Sequence, residues 1–303
     1  MAFNKAGLAD YVKENQDQIL SAIVLGGKTI GRMTKQTGIK TKEKINYLGL
    51  DPIFQDGSNC GFTPQGDVVL TQREIATGVI KVNMELCDRT LLGKYAEYLV
   101  RVAADNENAL PFEAEIVDLL TKKINEAMEK AVWQGDTDSG NANLKHFDGL
   151  LKIAGEEASV IDVEVTAGED AYSAIKKMYL ALPEELLEAG AAIHVSPELY
   201  RAFLQEMVEK NYYHYSGAQD AQPEEFVFPG SNVKVVNTLG LAGTKKMFAT
   251  YDANLYYGCD LENAMEIVKV WFSDDDDKFK IKVLWNAGVQ VAFPNHVVLG
   301  TIA

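Results

Sequence analysis

Several groups of side chains in this sequence are of types that do chemistry, and none has the spacing its chemistry requires. Leu25-Gly26-Gly27-Lys28-Thr29 ends like a phosphate-binding loop. The full pattern needs a glycine five residues before the Gly-Lys pair and a strand ahead of the loop. Ala22 stands at that position, and the residues before it have a helical pattern, so the segment reads as a helix stop leading into a basic stretch. Asp274 to Asp277 could attract calcium, but a calcium loop alternates its ligands, turns on a glycine and closes with a glutamate. Four consecutive acids beside Lys278, Lys280 and Lys282 read instead as a solvated hairpin tip. His146, His194, His214 and His296 share no metal-ligand spacing. Cys60, Cys87 and Cys259 show neither a nucleophile signature nor a zinc or disulfide framework. Tyr212-Tyr213-His214-Tyr215 could stack on bases, but stacking sites need cationic neighbours. Only Lys210 is close, and Asp220, Glu224 and Glu225 follow, so the segment reads as a loop that packs on another subunit. The expectation is a protein that is not an enzyme, with no catalytic, cofactor-binding or metal-ligating residue.

The elements that would position any site are clearer. Residues 5–25 read as one helix ended by Gly26-Gly27, and residues 31–44 as a basic arm. Residues 41–86 read as two long strands around a wide loop with three turn clusters, the second strand being the alternating run Val79 to Leu86. The strongest helix spans 111–134. Its apolar residues Phe112, Ile116, Leu119, Leu120, Ile124, Ala127, Met128 and Ala131 fall on one face, Pro111 opens it, and Gly135 stops it. Residues 159–261 alternate helices with short strands. Ser196 caps a helix with Pro197 at its first position, and Pro183 and Gly190 break and end the helix before it. Strands return at 264–272 and 279–285, joined by the acidic tip. The finish, Val283 to Ala303, is β-branched and apolar with a Phe293-Pro294 bend, which predicts that it is tied into a sheet.

The chain has 303 residues, 47% of them hydrophobic and 24% charged, enough for a full core. No apolar run is long enough to cross a bilayer, and no charged and then apolar leader opens the sequence. Its unpaired cysteines suit a reducing site of synthesis. The net charge of −15 argues against a nucleic-acid grip over most of the surface, because replacing phosphate counterions takes clustered Lys and Arg.

The order of parts resembles the major capsid fold of tailed bacteriophages, shared with encapsulins and the herpesvirus capsid floor. Trp133-Gln134-Gly135-Asp136 followed by Phe147-Asp148-Gly149-Leu150-Leu151 resembles that family's exit from its spine helix, and Ala292-Phe293-Pro294 to Leu299 its last strand. The resemblance implies an α+β fold with an N-terminal arm (1–40), an extended β-hairpin loop (41–86) and an inserted α/β axial domain (159–261). Residues 87–158 and 262–303 would form a peripheral domain with the spine helix 111–134 and a sheet. It implies a structural virion protein that self-assembles as pentamers and hexamers into an icosahedral shell around double-stranded DNA, in the virion, after synthesis in the host bacterial cytoplasm. Implied partners are further copies of the chain, scaffolding, portal and decoration proteins, and packaged DNA held without strong specific binding; no membrane is involved. No long coiled N-terminal segment of the built-in scaffold kind is present. Some relatives join a loop lysine to a neighbour's asparagine; Lys42, Lys44, Asn286 and Asn295 supply the types, and nothing in the sequence places them together. Two alternatives stand beside this reading. One is an encapsulin-type compartment with an enzyme cargo, and the other is a soluble α/β enzyme with a deep polar pocket.

Overall fold

The computed structural model describes residues 5–54, 66–87, 89–90, 93–94, 97–98, 112–210, 225–260 and 267–303. Three helices open it: α1 (Lys5–Glu14), α2 (Gln16–Leu25) and α3 (Lys28–Arg32). The single helix expected over 5–25 is broken at Asn15, whose side-chain amide donates to the Tyr11 carbonyl at 2.9 Å. These helices and the strand after them, β1 (Thr34–Gln36), do not form a free arm. Leu8, Val12, Ile23, Val24 and Ile30 are buried in the main core, and β1 pairs in parallel with β10 (Leu255–Cys259). The sequence places apolar residues on these helices at helical spacing, and a chain buries such a stripe wherever a partner face exists.

The spine helix α4 (Phe112–Gln134) runs 23 residues, about 35 Å. It buries Val117, Ile124, Met128, Ala131, Val132 and Trp133. Leu119, expected on the buried face, is instead 62% exposed. The helix is clasped on one side by α1, α2 and α3 and near its C-terminal end by a 3-10 turn at Leu239–Leu241, so its core face is rotated from the one the periodicity favoured. It rests on a central sheet ordered β1-β10-β12-β11, where β11 is Ile267–Ser273 and β12 is Lys278–Val291. The acidic tip joins β11 to β12 as expected, with Ser273 paired to Lys278.

The hairpin is built differently from expectation. Its arms are β2 (Lys42–Pro52) and β3 (Gly66–Ala76), paired along their full lengths. The alternating run near Val79 to Leu86 is not an arm. It is β4 (Gly78–Cys87), antiparallel to β12 from Lys278↔Cys87 to Ala287↔Gly78. Period two records only that one face is buried, and the face of β4 that carries Ile80 and Val82 meets the main core rather than the hairpin.

Helix α5 (Leu150–Glu156) follows the spine, packs on it and on β12, and buries Leu150, Leu151 and Ala154 in the main core. The remaining elements form a second layer. They are β5 (Ile161–Val165), α6 (Ala171–Ala181), α7 (Glu184–Ala189), β6 (Ala192–Val195), α8 (Pro197–Glu209), β7 (Glu225–Val227), β8 (Lys234–Asn237), β9 (Lys246–Thr250) and β13 (Val298–Ile302). A six-stranded sheet runs β5-β13-β9-β6-β8-β7 over its own core, with α6 and α8 packed on it. The expected cap is present: Ser196 Oγ accepts from Leu199 N at 3.3 Å, and Gly190 closes α7 in the left-handed conformation. Two strands change sheets relative to expectation. β10, expected with the inserted block, pairs with β12 of the central sheet. β13, expected to finish the central sheet, lies between β5 and β9 in the six-stranded one. The apolar finish is tied into a sheet, and the 3-10 turn at Pro294–His296 carries it from one sheet to the other.

A small separate core holds the base of the hairpin. Ile39, Ile45 and Ile75 pack with Ala292. A Cβ on Gly258 would come within 2.9 Å of Ile39 and Ile75, and one on Gly288 within 2.2 Å of the Ala76 carbonyl oxygen. Backbone cannot move aside as a side-chain end can. Gly288→Ala is therefore expected to destabilise the subunit by about 1–3 kcal/mol, read as a lower midpoint in urea unfolding. An unchanged midpoint would show that β12 and the β3–β4 joint can separate without loss.

Candidate functional site

The phosphate-loop mimic is a joint between helices. Gly26 ends α2 and Gly27 precedes α3, with no strand before them. The amide and hydroxyl donors of Thr29 are already used. The Thr29 amide donates to Glu129 Oε1 and Oε2 at 3.2 and 3.3 Å, and the Thr29 hydroxyl also donates to Glu129. Trp133 Nε1 donates to Thr29 Oγ1 at 2.9 Å. The indole of Trp133 lies tilted against His194 (4.9 Å between ring centres) and meets Phe248 edge-on (5.4 Å). His194 Nδ1 lies 3.0 Å from Thr238 Oγ1. This buried latch joins the N-terminal helices, the spine and the six-stranded sheet. Sequence reading missed Glu129, a carboxylate next to Met128 on the spine's buried side, because periodicity treats any acid as solvent-facing.

Burial pushes the Glu129 carboxyl above its usual range, against the lowering effect of the Thr29 hydrogen bonds. A raised carboxyl favours the folded state fully below the ordinary value of 4.5, and that stabilisation is lost as pH rises through the folded value. Glu129→Gln keeps the neutral form at every pH. Its melting temperature is expected to match the parent in acid and to exceed it increasingly toward neutrality. A difference that stays constant with pH would mean that Glu129 does not titrate in this range. Burial and Arg32 hold the His194 imidazole neutral down to about 3, so it cannot serve as a general acid near neutrality.

Among the other candidates, Cys87 stands opposite Lys278, beside the acidic tip. Asp274 to Asp277 are exposed, and Asp276 pairs with Lys280. His296 faces Glu185 at 3.2 Å. The His146 carbonyl packs against Gly78. Cys87 is exposed and Cys259 buried. Cys60, Tyr212, Tyr213, His214 and Tyr215 lie outside the described residues. Among the described residues no three His, Cys, Asp or Glu side chains gather for a metal. Where acids do converge, in the loop after the spine, a lysine is the cation. Lys152 Nζ lies 2.7, 2.9 and 3.0 Å from Asp136, Asp138 and Asp148. Of the crosslinking types, Lys42 pairs with Glu74 at 2.6 Å. Asn286 is buried and donates to the Lys40 carbonyl, whereas Asn295 is exposed on the turn before β13.

What the chain presents is surface. The hairpin arms extend about 37 Å, and their described far end carries Ile53 and Phe54, 56% and 98% exposed. Its base is fixed by the Ile39–Ile75 core, by the Arg73–Glu157 ion pair and by Gln290 Nε2 donating to the Glu74 carbonyl at 2.7 Å. A rigid base with an apolar far end is a lever suited to reaching another molecule.

Neither a family model nor a curated protein matches the sequence. Solved structures do. The chain superposes on one from the satellite phage P4 procapsid including size determination (Sid) protein with a TM-score of 0.63 at 12% identity, covering 96% of this chain and 91% of that one. A chain of Gordonia phage Cozz matches at 0.55 and 13%, covering 91% and 86%. A chain of the virus-like particle from Pyrococcus furiosus matches at 0.52 and 10%, covering 96% and 99%. At these identities the likeness is one of fold, and it extends over nearly the whole chain.

Proposed function

We propose that this chain, which has the fold of phage capsid proteins, is a shell subunit whose work is self-assembly rather than catalysis. The observation that carries the reading is the near full-length likeness of fold to a procapsid chain. The molecule's own features agree with it. The described far end of the hairpin carries exposed apolar residues, Ile53 and Phe54, that have little use in a lone subunit. The described ionisable clusters are closed by internal ion pairs rather than opened toward a substrate. In this reading the six-stranded block is the axial domain, and the spine helix and central sheet form the peripheral domain. The shell is icosahedral and encloses double-stranded DNA in a virion made in a bacterial cytoplasm. With a net charge of −15, its wall holds that DNA without a specific grip.

One observation favours a cargo-bearing compartment of the encapsulin type. The N-terminal helices are docked on the spine and β11 instead of standing free as an arm. Light-scattering mass and negative-stain microscopy of the purified chain test both. Megadalton shells support a shell subunit, and their contents, DNA or protein, choose between the two. A monomer or dimer that never forms rings or shells, even with scaffolding protein co-expressed, overturns both.

A further inference from the structure

A polar cleft of about 650 Å³ opens beside the buried latch, where the N-terminal helices, the spine and the six-stranded sheet meet. Its size is that of a small-molecule site. Three polar atoms of its lining residues are buried and have no hydrogen-bond partner among the described residues: Asn125 Oδ1, His194 Nε2 and Asn237 Oδ1. They come from the spine, β6 and β8. A buried polar atom left unmet keeps its full desolvation cost, so three at one cleft call for an occupant.

These atoms are of one chemical kind. The Asn125 amide nitrogen donates to the Ala22 carbonyl at 3.1 Å, which leaves Oδ1, an acceptor, as the unmet end. Asn237 likewise leaves its oxygen unmet. His194 is 2% exposed, and its Nδ1 lies 3.0 Å from the Thr238 hydroxyl. With Nδ1 donating to Thr238, Nε2 of the neutral ring is a third acceptor. Glu129 lines the same cleft and adds a carboxylate. The Arg32 guanidinium at the cleft is turned to Glu225, and Lys28 and Lys122 are exposed.

The spacing is linear. Asn125, Glu129 and Trp133 follow at four-residue steps and form one row along the spine, about 12 Å from first to last. His194 stands against Trp133 at the far end of the row, and its partner Thr238 adjoins Asn237. Unmet acceptors thus mark both ends, with a carboxylate between them. Pro197, Val236 and Leu239 give the cleft apolar wall.

We propose that this cleft binds a linear polyamine, a methylene chain with ammonium groups at its ends and along it. Ammonium groups carry only donors. One end meets Asn125, the other meets His194 and Asn237, and an inner ammonium meets Glu129. An extended triamine such as spermidine spans about that row. A metal ion fits less well, because amide oxygens suit hard cations and imidazole softer ones, and among the described residues no three His, Cys, Asp or Glu side chains gather. An anion would leave the acceptors unmet. The site goes beyond the shell reading and does not depend on it. Its occupant would tie the three parts that meet at the latch and so stabilise the folded subunit.

Titration calorimetry with spermidine tests this on the purified full-length chain, in about 150 mM NaCl to screen loose attraction to an acidic surface. One saturable site per subunit and a raised melting temperature are expected. Asn125→Leu with Asn237→Leu leaves the net charge of −15 unchanged, so it separates the cleft from general attraction of a polycation. The pair is expected to weaken binding about tenfold or more. Thermal melting checks that the variant folds, and Asn237→Ala alone, expected to weaken binding severalfold, takes over if it does not. Absence of saturable binding, the result if ordered water meets these atoms, overturns the proposal. Equal binding by parent and variant overturns it in favour of surface charge. Displacement of spermidine by magnesium at matched ionic strength overturns it in favour of a metal site, and saturable binding of inorganic phosphate in its place in favour of an anion.

Discussion

Trp133→Ala is expected to destabilise the subunit by about 3–5 kcal/mol. The indole is fully buried where the N-terminal helices, the spine and the six-stranded sheet meet. Removing it opens a cavity bordered by His194, Phe248 and Gly240. A Cβ on Gly240 would approach the indole to 2.1 Å, so that turn rests directly on the ring. The substitution also takes a donor from Thr29, which remains tied to the buried Glu129. Trp133→Phe separates the two effects. It keeps most of the volume and loses only the N–H, for about 1 kcal/mol. Urea unfolding of both variants gives the comparison. If alanine costs no more than phenylalanine, the three parts are not joined through this side chain.

Shortening the hairpin is expected to abolish shells and leave the subunit folded. Replacing residues 50–68 with Asn-Gly would close the arms at Gly49 and Val69, which are already paired, through a turn that suits a two-residue connection. The removed stretch includes residues 55–65, which lie outside the described residues. The hairpin's anchoring groups, Ile45, Arg73, Glu74 and Ile75, all remain. The melting temperature is therefore expected to change little, while megadalton particles disappear from light scattering. Phe54→Asp is a milder form that charges an apolar residue of the described far end that is 98% exposed. Normal shells from the shortened chain would show that the hairpin is not part of the assembly interface. Loss of folding would show instead that the arms support the body.

Much of the local structure was legible before the fold. The spine's length and its stop at Gly135, the Ser196 cap, the Gly190 stop and the β11–β12 turn all follow from rules that act within one or two turns of chain. The likeness to a capsid fold came from the order of these parts. The errors share one cause. Val79 to Leu86 was read as a hairpin arm, β10 was placed in the inserted block, and β13 in the central sheet. In each case the alternation was right and the partner wrong. A two-residue period tells a strand to bury one face and does not say against what.

The cleft beside the latch was hidden for the same reason. Asn125, His194 and Asn237 lie on three elements that meet only in the fold. Glu129 was passed over in the sequence, and its role appears only where the N-terminal helices bring the Thr29 donors to it.

By itself the sequence determined where several helices start and stop, which segments carry an apolar face, and that the chain is strongly acidic. Tertiary structure alone decided which strands pair, that the N-terminal helices dock instead of reaching out, and where like charges gather. The first set depends on sterics and hydrogen bonds among neighbouring residues. The second depends on contacts between residues up to 246 positions apart, whose cost in loop closure is met only when all of them form together.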